Sequence, residues 1–199
     1  MLSCRRHRRG FSLLEAAVVL GIIGAVTASI ISFMVSSRDT TRSNLFVQQV
    51  VSTTKGVRNY FSSRVLPSSA ADASTNYTQS VMRAAGVFPE DACPANCVSG
   101  TVTTVYNLYG GTLTFSLPTS SGTPIANRFQ LAMTNVAKKG CVQLGLSLGS
   151  TLSASAVGLY SYDANGTAYT SFPITPANLD TACSSAAANT VTLVFYINI

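Results

Sequence analysis

Phe11 to Val35 is a continuous apolar run of 25 residues in which Glu15 is the only charge. As a helix rising about 1.5 Å per residue it reaches roughly 37 Å, enough to cross a hydrocarbon core of about 30 Å. The run therefore predicts a transmembrane helix. A secretory signal peptide has an apolar region of only about 7–15 residues, closed by a small-x-small cleavage site; this run is longer and no such site closes it. Further on the pattern becomes one-sided. Val47, Val50, Val51, Thr54, Val57 and Phe61 recur three and four residues apart, while Arg42, Gln48, Lys55 and Arg58 fall largely between them. That spacing predicts a helix with one packed face and one wet face. No proline precedes Pro67 and no glycine lies between Gly24 and Gly56, so one helix is expected over residues 11–63, with 11–35 as its membrane part.

After Arg64 the pattern shortens and Ser, Ala, Thr, Asn and Gly dominate. Val102 to Tyr109 and Thr112 to Leu117 flank Gly110-Gly111 and predict a hairpin. Residues 128–133, 156–162 and 167–172 are further strand candidates, the last two joined across Asp163-Ala164-Asn165-Gly166, and residues 190–199 carry the strongest strand signal. Helices are expected near 74–85, 135–147 and 177–184. An antiparallel sheet laid against the amphipathic half of the long helix buries both apolar faces. The fold class expected is α+β: a long N-terminal helical stem packed against an antiparallel sheet in a C-terminal globular head, residues 64–199.

Composition narrows the chemistry. Charged residues make up 10% and hydrophobic ones 47%, far from the composition of a disordered chain. Of the 13 basic residues, Arg5, Arg6, Arg8 and Arg9 sit in the first ten positions with no acid among them, and setting them aside takes the net charge from +6 to +2. The basic character thus belongs to a leader, and the positive-inside rule puts residues 1–10 in the cytoplasm and everything after Arg38 across the membrane. Trp is absent and His7 is the only histidine, which removes the raw material for histidine acid/base catalysis and His-rich metal sites. Lys138-Lys139 is the only basic pair of the head and reads as a solvated helix face. No enzyme activity, cofactor, metal, specific nucleic acid or small-molecule ligand is expected.

Of five cysteines, Cys4 lies in the leader, leaving Cys93, Cys97, Cys141 and Cys183. An even number in an exported domain argues for disulfides, with three pairings open. A zinc site is the rival; only one C-x3-C pair exists and oxidation competes for it. Asn76-Tyr77-Thr78 fits a glycosylation sequon by incidental composition.

A charge inside a membrane span costs about 2.5–3.5 kcal/mol near the helix centre. Glu15, close to the segment's end, can reach interfacial water. Yet Ala17, Gly21, Ala25 and Ser29 follow at intervals of four, a stripe of small residues that lets helices approach closely in lipid. Together they suggest a helix that associates with copies of itself.

Arg8-Arg9-Gly10 followed by Phe11-Ser12-Leu13-Leu14-Glu15 and an apolar helix resembles the class III leader of a type IV prepilin. The resemblance implies that a prepilin peptidase cuts between Gly10 and Phe11 and methylates the new amine of Phe11. It also implies that Glu15 pairs with that amine on a neighbouring subunit. Carboxylate and ammonium then neutralise one another inside a helical bundle, where either alone is costly. The rest of the chain is similar to the type IVb branch, including the toxin-coregulated and bundle-forming pilins and the thin-pilus pilins of conjugative plasmids. The similar segments are Gly86-Val87-Phe88-Pro89-Glu90-Asp91, Asn107-Leu108-Tyr109-Gly110-Gly111, Phe129 to Asn135 followed by Cys141, and Cys183 before the last strand. Two departures stand out: the leader has only ten residues, and Ser32 stands where many type IVa pilins have a proline.

The resemblance implies a Cys141–Cys183 disulfide, which leaves Cys93–Cys97 as a locally closable pair. It further implies a pilus subunit that forms a homopolymer through its N-terminal helix and serves adhesion, motility, aggregation or conjugative mating. The peptidase and an inner-membrane assembly platform would be its partners. It would sit in the inner membrane as a single-pass protein before assembly and in an extracellular pilus afterwards. The alternative is a minor pilin or a pseudopilin of a type II secretion system; the latter is disfavoured by the absence of an acidic cluster near the C-terminus.

Overall fold

Nothing between residues 13 and 61 breaks a helix: there is no proline, and glycine occurs only at Gly21, Gly24 and Gly56. The computed structural model describes residues 13–62, 64, 77–92, 104–121, 123–125, 127–185 and 188–197, and the first of these stretches forms one helix, α1 (Leu13–Phe61). Residues 1–10, expected as a leader, and Phe11 lie outside the described residues. Valine, isoleucine and threonine are frequent in α1, each a weaker helix former than alanine by up to about 0.7 kcal/mol. Packing or a surrounding apolar medium, and not propensity, must hold such a helix.

The chain divides into two compact units between Thr40 and Thr41. In the second unit α1 buries Phe46, Val50, Thr54, Val57, Tyr60 and Phe61, the face that the spacing predicts. Thr53 and Thr54 are buried at no loss of hydrogen bonding, because their hydroxyls donate to Gln49 O and Val50 O one turn back. At Gly56 the helix runs so close to the Val87 backbone that a Cβ would collide with it.

The remaining elements are α2 (Gln79–Ala84), a 3-10 turn (Glu90–Ala92), β1 (Leu113–Ser116), β2 (Thr119–Ser120), β3 (Thr123–Pro124), β4 (Arg128–Val136), α3 (Lys138–Leu148), α4 (Thr151–Ala156), β5 (Leu159–Ala164), β6 (Thr167–Tyr169), α5 (Pro176–Ala182) and β7 (Asn189–Tyr196). Five strands form an antiparallel sheet in the order β1-β4-β7-β5-β6, and β2 and β3 form a separate ribbon. The C-terminal strand is central, as its apolar content demands. Strand pairing lines the inward side chains into rows: Leu113, Met133, Val191 and Ala164; Phe115, Leu131, Leu193 and Tyr162; Phe129, Phe195 and Leu159. All are buried in one cluster with the α1 residues, and Phe61, Phe115, Phe129 and Phe195 follow one another as stacked rings 5.3–6.5 Å apart.

Several expectations are corrected. The hairpin around Gly110-Gly111 is not a hairpin of two strands. Among the described residues of 102–109 only Tyr106 bridges to Thr112, and β1 pairs with β4 instead. Backbone bonds cross the loop from Asn107 N to Gly111 O and from Leu113 N to Val105 O; on its outer edge Gln49 Nε2 donates to Tyr106 O while Leu108 N donates to Gln49 Oε1, and in the turn Asn107 Oδ1 accepts from Tyr109 N and Gly111 N. The helix expected at 135–147 begins only at Lys138, because buried Val136 still pairs with Asn189 in the sheet. The strand expected at 156–162 begins at Leu159, after an unforeseen α4, and that at 167–172 ends at Tyr169. Of the helix expected at 74–85, residues 74–76 lie outside the described residues and the rest narrows to α2. Arg58, assigned to the wet face, is half-buried and bonded to the head.

Candidate functional site

The first half of α1 has no tertiary core of its own. Leu13 is 91% exposed and Phe33 76%, and Leu14, Val18, Val19, Leu20, Ile22, Ile23, Val26, Ile30, Ile31, Met34 and Val35 are exposed with them. Ordinary soluble monomers seldom present more than about 300–600 Å² of contiguous apolar surface; a helix apolar on every side needs lipid or other helices. By length and composition α1 can cross a membrane. Its hydroxyls are already satisfied: Thr27, Ser29 and Ser32 donate to Ile23 O, Ala25 O and Ala28 O one turn back at 2.7, 2.9 and 3.1 Å. Glu15 is then the group left with chemistry to offer. It is exposed in the first turn and makes no ion pair with any described residue.

Ala17, Gly21, Ala25 and Ser29 are all exposed, and a Cβ built on Gly21 would meet nothing within 4 Å. Within the described residues of the first unit, the stripe of small residues is therefore not consumed by packing. Cleavage at Gly10 and methylation at Phe11 concern positions outside the described residues, as does the expected Cys93–Cys97 pair.

In the second unit polar side chains tie the loops to α1. Arg42 Nε and Nη2 donate to Leu108 O at 3.0 and 2.7 Å, and its guanidinium lies 4.9 Å from the centre of the Tyr109 ring. Buried Gln49 holds the 106–108 backbone. Arg58 donates to Tyr196 O at 3.1 and 3.0 Å and also to Val157 O; burial pushes its pKa down from the usual value. Gln79 acts in the same way on the sheet edge, donating to Leu113 O and accepting from Phe115 N, both at 2.9 Å, so its amide stands in for a missing strand beside β1.

Cys141 on α3 and Cys183 after α5 form a disulfide, with Cα atoms 5.9 Å apart and no solvent exposure of either residue. Beneath it the Tyr162 hydroxyl donates to Cys141 O at 2.8 Å. Burial raises the Tyr162 pKa well above the ordinary phenol value, and the neighbouring Tyr169 and Asp163 push it the same way. Buried Asn189 donates to Val136 O and Ser185 O and accepts from Ser185 N, clasping the start of β7 to the segment after Cys183. Gln49, Gln79, Arg58 and Asn189 escaped the sequence reading. For Gln49 a signal existed: it occupies the helical phase of Phe46, Val50 and Thr53, where a polar side chain must have a partner. Among the described residues no three His, Cys, Asp or Glu side chains come together as a metal would need.

Comparison with known proteins gives a consistent picture. Residues 37–196 match the family described as PilS N terminal, and residues 5–31 match the prokaryotic N-terminal methylation motif. The chain is 27% identical over 190 residues to the major structural subunit of the bundle-forming pilus of Escherichia coli O111:H-, covering 91% of this chain and 90% of that one. The subunit from Escherichia coli O127:H6 (strain E2348/69 / EPEC) aligns with the same identity and coverage. Among solved structures, the type IV b pilin from Salmonella typhi matches with a TM-score of 0.56 at 17% identity, over 75% of this chain and 97% of that one.

Proposed function

This chain belongs to the PilS pilin family, and we propose that it is the structural subunit of a type IVb pilus, a polymer anchored in the membrane through its N-terminal apolar helix during assembly. One observation supports this above the others: the Leu13–Val35 half of α1 is exposed on all sides, while the residues after Thr40 have a closed core of their own. A head that is already complete leaves the apolar helix free for partners. The near end-to-end similarity to the bundle-forming pilus subunits supports the same reading.

In this reading residues 1–10 are a leader, 11–63 the helix with 11–35 spanning the membrane, and 64–199 the displayed head. The precursor is single-pass with its N-terminus in the cytoplasm, as its arginine cluster favours. A prepilin peptidase removes residues 1–10 between Gly10 and Phe11 and methylates Phe11, and an inner-membrane platform adds the subunit to the fibre. Glu15 pairs with the Phe11 ammonium of a neighbour, so that two groups costly in an apolar bundle neutralise one another. Ala17, Gly21, Ala25 and Ser29 allow close helix contact. The protein works as a building block and catalyses nothing.

The deciding experiment is mass spectrometry of fibres sheared from cells that express this chain. The fibre protein should begin at N-methylated Phe11. Fibres made of another protein, or a fibre-borne chain that retains Met1, would end this reading.

A further inference from the structure

β5 and β6 are joined by the two-residue turn Asn165-Gly166, with both residues at positive φ, 52° and 86°. Asn165 is also the only asparagine in the chain followed by glycine, the pair in which a side-chain amide is most open to attack by the next backbone nitrogen, since glycine hinders it least. In that reaction the Gly166 nitrogen loses its proton and bonds to Asn165 Cγ. The bond from Cγ to the side-chain nitrogen breaks, ammonia leaves with the proton, and a cyclic imide remains. Water then opens the imide to aspartate or isoaspartate, with no change of oxidation state.

The head opposes every part of this. Asn165 Oδ1 accepts from Thr190 N at 2.9 Å, and Asn165 Nδ2 donates to Ala182 O at 2.9 Å and to Asn189 Oδ1 at 2.8 Å. The Gly166 N–H is held by Asp163 Oδ1 at 3.0 Å. Ring closure must break all of these together. The carboxamide's partners are Ala182, the last residue of α5, and Asn189 and Thr190, the first two of β7, and Ala182 directly precedes the disulfide-bonded Cys183. Asn189 in turn is fixed by Val136 and Ser185.

We propose that Asn165-Gly166 is a modification site gated by the fold: the clasp preserves the amide while Cys141–Cys183 is closed and yields it to deamidation once that bridge is opened. A dithiol opens it by taking both sulfurs to thiols and being oxidised to a disulfide itself. The change is then one-way. An aspartate carboxylate only accepts hydrogen bonds and would face two acceptors, Ala182 O and Asn189 Oδ1, while isoaspartate adds a backbone atom to a two-residue turn.

The test incubates the full-length protein in detergent micelles, in mildly alkaline buffer, with and without dithiothreitol. Peptide mass spectrometry follows deamidation and isoaspartate at Asn165, with the peptide holding Asn135-Val136 as an internal control. The rate at Asn165 should be at least about tenfold higher in the reduced protein, since the site would react only from opened states, while Asn135 stays slow in both. With the bridge intact, Asn189→Ala should raise the rate at Asn165 several-fold. Equal rates in oxidised and reduced protein would overturn the proposal without needing any variant to fold. So would an unchanged rate in folded, oxidised Asn189→Ala.

Discussion

Leu13–Val35 and Ser43–Phe61 are stretches of the same helix, both rich in β-branched residues, yet all nine buried residues of α1 fall between Ser43 and Phe61. The difference lies in how polarity is placed. In the second stretch Ser43, Gln49 and Arg58 each bind a named group of the head, so the apolar face between them has one way to dock. Among the described residues the first stretch carries no such directional groups apart from Glu15, and its three hydroxyls donate to their own helix. Burial of apolar surface is non-directional, and in lipid it gives helices no reason to associate. On the function proposed above, helix partners for the first stretch are chosen by close packing at small residues and by one charge.

The largest contrast should come from Glu15→Ala. Removing a carboxylate makes membrane insertion easier, and in the second unit nothing described depends on Glu15, so head stability should not change. Filament yield should fall to near zero. Shearing yield and head melting, measured on the same variant, check this separation; normal fibres from cells expressing only Glu15→Ala would break it.

Next comes truncation within each half. Phe46 has no solvent exposure and packs edge-to-face on Tyr109 with centroids 5.2 Å apart, so Phe46→Ala should cost the head about 3–5 kcal/mol in denaturant unfolding. Ile22 is 60% exposed, and Ile22→Ala should leave head stability within about 0.5 kcal/mol. Equal losses would show that the two halves share a core.

The third effect compares two loops of the head. Cys141–Cys183 spans 42 residues, and chain entropy puts its contribution near 4 kcal/mol, against about 2 kcal/mol for the Cys93–Cys97 pair we propose. Replacing Cys141 and Cys183 by Ser should lower the melting temperature more than replacing Cys93 and Cys97. Non-reducing peptide maps should recover Cys93 joined to Cys97, and free thiols there would remove the smaller loop from the comparison.

Hydrophobic spacing made α1, β4, β7, α5 and the α+β class legible, since periodicity reports which side of an element faces a core. The Cys141–Cys183 bridge was legible through family resemblance, whereas spacing alone left three pairings. Backbone partnership was not legible. Residues 102–109 and 112–117 read as a hairpin because nothing local reveals that Gln49, 57 residues from Tyr106, holds one arm. Arg58 read as solvated because its long stem hides a head that reaches Val157 and Tyr196. Asn189 opens a strand and gives no local sign that it clasps Val136 and Ser185.

The smallest effect tests the head by titration. Tyr162 is held protonated by burial next to Tyr169 and Asp163, so its folded pKa lies above the unfolded value of about 10. Below that unfolded value both states keep the proton and stability is unaffected. As pH rises past it, the unfolded phenol ionises while the folded one does not; the native state then binds more protons, and stability falls by up to about 1.4 kcal/mol per pH unit until the folded pKa is passed. Tyr162→Phe should abolish this share of the alkaline decline. It should also cost about 1 kcal/mol or somewhat more at neutral pH, because Cys141 O loses its 2.8 Å donor in a buried site. The Leu13–Val35 helix contains no group that titrates in this range, so alkali should unfold the head while micelle-bound helical signal from that segment persists. Denaturant unfolding of both proteins across the alkaline range, followed by circular dichroism, measures the two trends together. Parallel declines in wild type and Tyr162→Phe would remove Tyr162 as their source.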